Sequence, residues 1–439
     1  MFANDHDTIF APASGLGRAA IAVLRISGPD CASVLKAIAP HAEFPDRRAV
    51  LRTLRHPRSY EPLDRALVTR FQAPRSFTGE EMAEVSVTGG RAVTSALLGA
   101  LALVPGLRPA EPGEFAWRAF INGKIDLSEV EGLADLVEAE TEAQRRQAQN
   151  IAGGALSREC EAIRSKLLEA MAAVEIEIDF TDVEDASDFT LESVRGAARA
   201  ALERIDRALL TADSAQRLRE GFTVVIAGPP NVGKSTLMNA LAGRNVAITS
   251  PIAGTTRDLI EVFLDLHGYP VILVDTAGIR ESQDPIEQEG IARARRRAEG
   301  ADLALWLDDG SGNRAPRLKS PTLAVRTKID LNEPHSSTPK LGISAKTGAG
   351  IDRLLDVIAE LAEERMASRE PALLTLERHR RAFQDARRAL ASALNPEVAE
   401  PELIAEDLRR AASAMDRIVG RIGVGDVLGE IFARLCVGK

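Results

Sequence analysis

The spacing of hydrophobic positions changes character several times along the chain. Over the first 124 residues the runs are short and strand-like: IAVLRISG (21–28) and MAEVSVTGG (82–90) alternate or carry β-branched residues. The apolar run AVTSALLGALALV (92–104) predicts a buried helix, and Pro105-Gly106, Pro109 and Pro112-Gly113 punctuate the segment after it. From about residue 125 the spacing turns helical, with Leu127, Val130, Leu133 and Leu136 recurring on one face. ALSRECEAIRSKLLEAMAAVEIEI and VRGAARAALERIDRALL continue almost without Pro or Gly, which predicts helices several turns long. A second helical block occupies 370–439, where LERHRRAFQDARRALASAL and DLRRAASAMDRIV carry the same signature. Between the blocks, FTVVIAG (222–228), EVFLDL, VILVDTAG, LALWLDD and TLAVRTKID read as strands separated by helices, the pattern of an open α/β sheet. The expected architecture is multidomain, α/β and α. It comprises an α+β domain over 1–124, a helical domain in two parts over 125–217 and 370–439, and an α/β unit over 218–369 inserted into that helical domain.

Composition narrows the class. With 439 residues, 45% hydrophobic and 27% charged, the chain has the balance of a soluble multidomain protein. No apolar run approaches the roughly 20 residues of a membrane span. The N-terminal MFANDHDTIF is acidic where a signal peptide would be basic, and Cys31, Cys160 and Cys436 lie far apart without a CxxC. These features predict a cytoplasmic protein with no disulfide framework and no zinc site. The net charge of -9 is uneven: residues 1–124 hold 15 Lys and Arg against 12 Asp and Glu, the remainder 40 against 52. That asymmetry is compatible with a nucleic acid docking locally and is too small to establish one.

The chemistry concentrates in the α/β unit. Gly228-Pro-Pro-Asn231-Val232-Gly233-Lys234-Ser235 has the spacing GxxxxGKS, directly after an apolar strand and before the helix that Ser235 and Thr236 open. Glycines let the backbone wrap phosphates, the helix N-terminus favours negative charge, Lys234 reaches the outer phosphates and Ser235 can ligate Mg²⁺. Asp275-Thr276-Ala277-Gly278 ends the strand VILVD, where the aspartate can hold the Mg²⁺ shell and the glycine N–H can sense a γ-phosphate. Thr327-Lys328-Ile329-Asp330 comes after another strand, and its carboxylate can accept two N–H bonds from guanine; Ser344-Ala345-Lys346 closes the base pocket. The set selects GTP over ATP. Thr327 stands where such motifs usually carry Asn, and its hydroxyl can replace only part of the amide's bonding, so somewhat weaker binding with retained guanine selectivity is expected. Ile279 stands where many GTPases place a water-orienting Gln, so another group must act. Asn231 could help hold a monovalent cation near the phosphates. Glu287, in ESQDPIEQEG, could orient water, although on the residues alone a solvated acidic loop position is the plainer reading.

Together with Gly254-Thr-Thr-Arg-Asp258, RAAIAVLRISG (18–28), SFTGEEMAEV (76–85), PGEFAWRAFINGKIDLSEVEGLADLVEA (112–139) and the C-terminal Leu435-Cys436-Val437-Gly438-Lys439, these motifs make the chain resemble, over essentially its whole length, the MnmE (TrmE) family of bacterial tRNA-modification GTPases. The resemblance implies an N-terminal folate-binding domain that dimerises, a helical domain and an inserted P-loop (Ras-like) G domain. It implies a GTPase activated by K⁺, with Asn231, Ser250, Ile252 and Thr255 as K⁺ ligands and Ser235 and Thr256 as Mg²⁺ ligands. It makes Glu287 the catalytic glutamate, reversing the plainer reading. Arg25, Glu84, Lys124 and Lys439 would surround a reduced folate, a tetrahydrofolate derivative. Cys436 is placed with the catalytic candidates, its chemical role unassigned. The implied partners are a second copy of the chain, tRNA, and an MnmG/GidA-type flavoprotein in a heterotetramer or larger complex, with FAD, and NADH as an option, on that partner. Two departures stand out: Thr88-Gly89-Gly90 replaces the family's His-Gly-Gly, which puts an acid/base role at that position in doubt, and Val437 replaces Ile.

The expected function is therefore K⁺-activated GTP hydrolysis coupled to modification of C5 of the wobble uridine with a folate one-carbon unit. Its rivals are a ribosome-assembly GTPase switch, which would need an RNA-binding module, and a stand-alone folate-dependent transferase with a regulatory G domain. Gly15-Leu-Gly17-Arg-Ala-Ala20 scans as a dinucleotide fingerprint but precedes a strand, Gly420-Arg-Ile-Gly423 scans as a KH loop too near the C-terminus, and Arg293–Arg297 reads as a solvated helix face.

Overall fold

The computed structural model describes residues 7–15, 17–179, 187–244, 246–248, 261–275, 299–310, 320–331, 341–368, 371–396, 400–422, 431–432, 435 and 438. It divides into two compact units, one of Met1–Ala134, Ala152–Cys160 and Met415–Lys439, the other of Asp135–Ile151 and Glu161–Ala414.

The first unit is built on strands β1 (Thr8–Pro12), β2 (Ile21–Ser27), β3 (Ala49–Arg55), β4 (Pro62–Phe71), β5 (Met82–Thr88) and β6 (Leu107–Pro109), with helix α1 (Cys31–Ile38) after β2 and α2 (Arg91–Leu101) after β5. They form one sheet in the order β3-β4-β5-β2-β1-β6, antiparallel except where β1 meets β6. The period of two sends Leu24, Ile26, Val68, Val85 and Val87 into a core shared with Val34, Leu35, Leu97 and Leu101. The intervening positions carry the polar groups: Arg25 lies opposite Glu84, and Glu84 opposite Thr69. The helix expected over 92–104 differs from its expectation in one respect. It ends at Leu101 and buries only Leu97, Ala100 and Leu101, while Ser95, Ala96 and Gly99 face solvent. An apolar run packed on a sheet needs only one stripe buried, so the helix is amphipathic in place though not in composition. Helices α3 (Glu114–Ile121) and α4 (Leu127–Glu138) come next, and Trp117 packs edge-on against Phe432 with ring centroids 5.3 Å apart.

Helices α5 (Glu142–Ala152), α6 (Ala155–Asp179), α7 (Ser187–Leu210) and α8 (Ala212–Glu220) carry the Ala/Glu/Arg-rich runs. In the second unit a five-stranded sheet comes after them: β7 (Phe222–Ala227), β8 (Glu261–Leu266), β9 (Tyr269–Asp275), β10 (Leu303–Asp308) and β11 (Thr322–Arg326), ordered β11-β10-β7-β9-β8. Helix α9 (Lys234–Ala242) follows β7, and α10 (Ile351–Met366) lies C-terminal to the last strand. The central strands are parallel and buried, with Val224, Ile226, Leu273 and Leu305 packing against Leu237, Leu354 and Ile358. Not every pair of strands is separated by a helix, as the periodicity had predicted. β8 and β9 form an antiparallel hairpin, Leu266 opposite Tyr269, turned by His267 and Gly268 at φ 54° and 87°. Two consecutive left-handed residues match the twist of a two-residue hairpin, a signal that His-Gly shows weakly beside Asn-Gly. Helix α11 (Glu377–Ala393) then packs along α7, and α12 (Pro401–Val419) comes after it. Among the described residues no helix is long and apolar enough to cross a membrane.

Candidate active site

Strand β7 leads into the loop expected to take phosphates. At Gly228, φ is 153° and an added Cβ would stand 2.7 Å from the Leu307 carbonyl of β10, so only glycine lets the chain leave the sheet here. Asn231 and Gly233 take left-handed conformations, φ 60° and 106°, and Gly233 caps α9 by accepting the Leu237 N–H at 2.9 Å. Val232, between them, is fully buried and pins the loop to the core. The loop therefore ends at the positive end of a helix, a place suited to phosphate. The Lys234 Nζ donates to the Gly228 and Pro229 carbonyls, both at 2.9 Å, which draws the ammonium back across the loop. Thr236 continues the first turn of α9.

Asp275 ends β9 buried, and its Oδ2 accepts the Ser235 hydroxyl at 3.2 Å. A hydroxyl and one carboxylate are hard oxygen donors of the kind Mg²⁺ takes when nucleotide phosphates and waters complete its octahedron, so the residues present fit that ion. Among the described residues no cluster of three or more His, Cys, Asp or Glu could hold a metal without such help.

The loop expected to meet the base joins the loop expected to meet the phosphates through Thr327. This side chain is 5% exposed, and its hydroxyl donates to the Val232 carbonyl at 2.8 Å while its N–H donates to the Asp308 carbonyl at 2.8 Å. The part of the amide's bonding that a hydroxyl can supply is thus used to tie the base loop to the phosphate loop. Lys328, at φ 57°, pairs with Asp309 at 2.9 Å. Asp330 is exposed; a hydrogen bond from Ser344, aided by the charge of Lys346, holds its carboxyl below the usual range. Ser344 is itself fixed, its N–H donating to Ala349 at 2.9 Å and its Oγ accepting the Thr347 N–H at 3.2 Å; Ala345 is next in the chain. Asp309 escaped notice in the sequence, because an acidic pair closing LWLDD reads as an ordinary strand end; only its approach to Lys328 marks it. Ser250, Ile252, Thr255, Thr256, Thr276, Ala277, Gly278, Ile279, Glu287, Arg293–Arg297, Cys436, Val437 and Lys439 lie outside the described residues.

The first unit holds a separate cavity of about 510 Å³, lined by Arg47, Phe71, Arg75, Ser76, Phe77, Met82, Glu84 and Lys124. Arg25 adjoins it through Glu84, to which it donates at 2.8 Å; it also donates to the Gly438 carbonyl at 3.3 Å and lies 5.2 Å from the centre of the Phe77 ring. Three of the four residues expected around a folate are therefore near one another. Aromatic walls beside cations and a single carboxylate suit a flat heteroaromatic acid, so the residues fit such a cofactor. Thr88 does not provide the missing imidazole's chemistry; its N–H and hydroxyl bond Asp64 at 2.7 and 3.3 Å.

The first unit also holds a charge cluster that the sequence did not announce. Arg118 and Glu114 are both 1% exposed and bond at 3.0 Å; Arg118 also donates to Glu80 at 3.1 Å and to the Asp7 carbonyl at 2.6 Å, while Arg108 grips Glu114 at 2.7 and 2.9 Å. Burial alone would raise the Glu114 carboxyl, but the bonds from Arg108, the Glu111 N–H and Arg118 outweigh it and hold the group below its ordinary range.

Comparison with known proteins completes the picture. Residues 8–124 match the family model described as GTP-binding protein TrmE N-terminus, and residues 127–436 match that of the MnmE helical domain. The tRNA modification GTPase MnmE of Beijerinckia indica is 51% identical over 435 residues, covering 99% of this chain and 96% of its own. That of a Methylobacterium species is 52% identical over 439 residues, covering 99% of this chain and all of its own. Among solved structures, the FeoB G-domain from Methanococcus jannaschii is 26% identical, over 32% of this chain and 98% of its own, at a TM-score of 0.24. The chain belongs to the MnmE/TrmE family.

Proposed function

We propose that this chain is a GTP hydrolase acting in tRNA modification, which with a flavoprotein partner of the MnmG/GidA type installs an aminomethyl or carboxymethylaminomethyl group at C5 of the wobble uridine of certain tRNAs. The observation that carries the nucleotide reading is the bond from Thr327 to Val232, which links a phosphate loop to a loop presenting Asp330 as a carboxylate. Guanine offers N1–H and an adjacent amino group to such an acceptor, whereas adenine's N1 carries no hydrogen and repels it. The family of this chain and the names of its relatives support the tRNA assignment.

In this reading residues 1–124 bind folate and dimerise, 125–217 and 370–439 form the helical domain, and 218–369 form the inserted G domain. Lys234 and the N-terminus of α9 hold the phosphates. Ser235, Thr256 and Asp275 would hold Mg²⁺, which supplies positive charge against the β- and γ-phosphates. Asn231, Ser250, Ile252 and Thr255 would hold a K⁺ ion acting where an arginine finger would otherwise stand. Glu287 orients the attacking water, because Ile279 cannot. Arg25, Glu84, Lys124 and Lys439 hold the reduced folate that brings the one-carbon unit, FAD belonging to the partner with NADH as an option there. GTP hydrolysis rearranges the G domains of a homodimer within a heterotetramer or larger complex, and so moves the modification site. Cys436 carries no assigned step.

Nucleoside mass spectrometry of bulk tRNA from a strain lacking the gene tests this reading. Loss of the C5-modified wobble uridine, restored by the wild-type chain but not by Glu287→Ala, is the expected result. An unchanged nucleoside profile with accumulated ribosomal precursors would overturn it in favour of a ribosome-assembly switch.

A further inference from the structure

The lining of the first unit's cavity holds more cations than carboxylates. Arg47, Arg75 and Lys124 all line it, against the one carboxylate of Glu84. That carboxylate is already engaged by Arg25 at 2.8 Å, so it neutralises none of the three. Arg75 shares its charge with Asp46 at 2.8 Å and remains 63% exposed, and among the described residues Lys124 reaches a backbone carbonyl, that of Pro74 at 2.9 Å. Arg47 is exposed and its guanidinium has no partner among the described residues. Its backbone is nevertheless held: φ is 56°, and its N–H donates to the Arg70 carbonyl at 2.7 Å, so the side chain starts from a fixed point beside the cavity. The apolar surface comes from Phe71, Phe77 and Met82. A wall that is aromatic over part of its area and cationic over the rest fits a ligand with a flat ring system joined to several carboxylates.

We infer that this cavity selects a reduced folate carrying a poly-γ-glutamyl chain, with Arg47 and Arg75 binding the carboxylates of the chain and the ring system lying toward Phe77 and Glu84. The inference rests on the folate reading of this cavity and adds to it the ionic form of the ligand. A single glutamyl residue presents an α- and a γ-carboxylate, whereas each further γ-linked residue adds one net anion. Partly exposed charge pairs contribute modestly and are screened by salt, so the preference is graded and falls with ionic strength.

The experiment is calorimetric titration of the full-length protein with 5-formyltetrahydrofolate in its monoglutamyl and pentaglutamyl forms, at about 20 mM and about 300 mM salt, the interval over which screening grows. At low salt the pentaglutamyl form is expected to bind roughly tenfold more tightly, the product of two or three partly exposed pairs. That ratio should shrink at high salt and fall in Arg47→Ala, approaching one only when Arg75 is replaced as well. The ratio, not either affinity alone, is the readout, so a variant with generally weakened binding remains interpretable. Equal affinities for the two forms in the wild type would overturn the inference while leaving the folate reading intact. A preference that Arg47→Ala leaves unchanged would overturn the assignment to this cavity. Failure of both forms to bind would overturn the folate reading itself and the inference with it.

Discussion

The hydroxyl of Thr327 donates to the carbonyl of Val232 at 2.8 Å, across 95 positions of sequence, and both groups are buried. One bond therefore fixes the distance between the loop proposed to take phosphates and the loop proposed to take the base. Thr327→Ala leaves a buried carbonyl without its donor, at a cost of about 1–3 kcal/mol. Urea unfolding should show a midpoint lowered to that extent, and both GTP and GDP should bind more weakly, since the bond serves neither the γ-phosphate nor hydrolysis. Undiminished GDP affinity would mean that the tie does not position the site.

Guanine selectivity should reside in Asp330. Removing a carboxylate that accepts charge-assisted hydrogen bonds costs roughly 1.5–3 kcal/mol, or about tenfold to a hundredfold in affinity. Asp330→Ala is expected to bring GTP and ATP to similar affinities in a competition assay with a fluorescent guanine nucleotide. ATP competing as well as GTP against the wild-type protein would remove the basis of the assignment.

The Glu114 carboxyl is held below its ordinary range, so the folded state binds its proton less readily than the unfolded chain does. Its contribution is fully present above the unfolded pKa, near the ordinary carboxylate value of 4.5, and is lost as pH falls through the lower folded value. Glu114→Gln should therefore reduce stability at neutral pH and flatten its decline in acid. Because the change leaves Arg118 buried with one counter-charge fewer, the loss at pH 7 is expected to be about 3–5 kcal/mol. Parallel stability–pH curves for the two proteins would contradict this account.

Burial pushes the Cys31 thiol up to about 12, and Cys160 is buried as well. At pH 8 the Cys31 thiol stays protonated and both side chains are buried, so both should resist a thiol-specific reagent in the native protein and react in urea. Mass-spectrometric mapping of the labelled sites distinguishes them from Cys436; native labelling of Cys31 would show that its surroundings open.

Much of the molecule was legible from residues near one another in sequence. The period of two in IAVLRIS and MAEVSVT, the helical runs around Cys160 and Arg387, and the strand–loop–helix at Gly228–Ser235 all appear where local patterning put them, because each depends on neighbours within a few positions. The turn at Gly228–Ser235 was readable for the same reason: its glycines are required by backbone angles at single residues. The tertiary structure alone decided which of these pieces meet. Sheet register set Arg25 opposite Glu84, strand order laid β7 between β9 and β10, and packing closed Arg118, Glu114 and Glu80 into one buried cluster. Such pairings are made by groups far apart in the chain, and their energies depend on desolvation and geometry that exist only once the core has formed. Local chemistry is a property of the residues, whereas the company each charge keeps is a property of the fold.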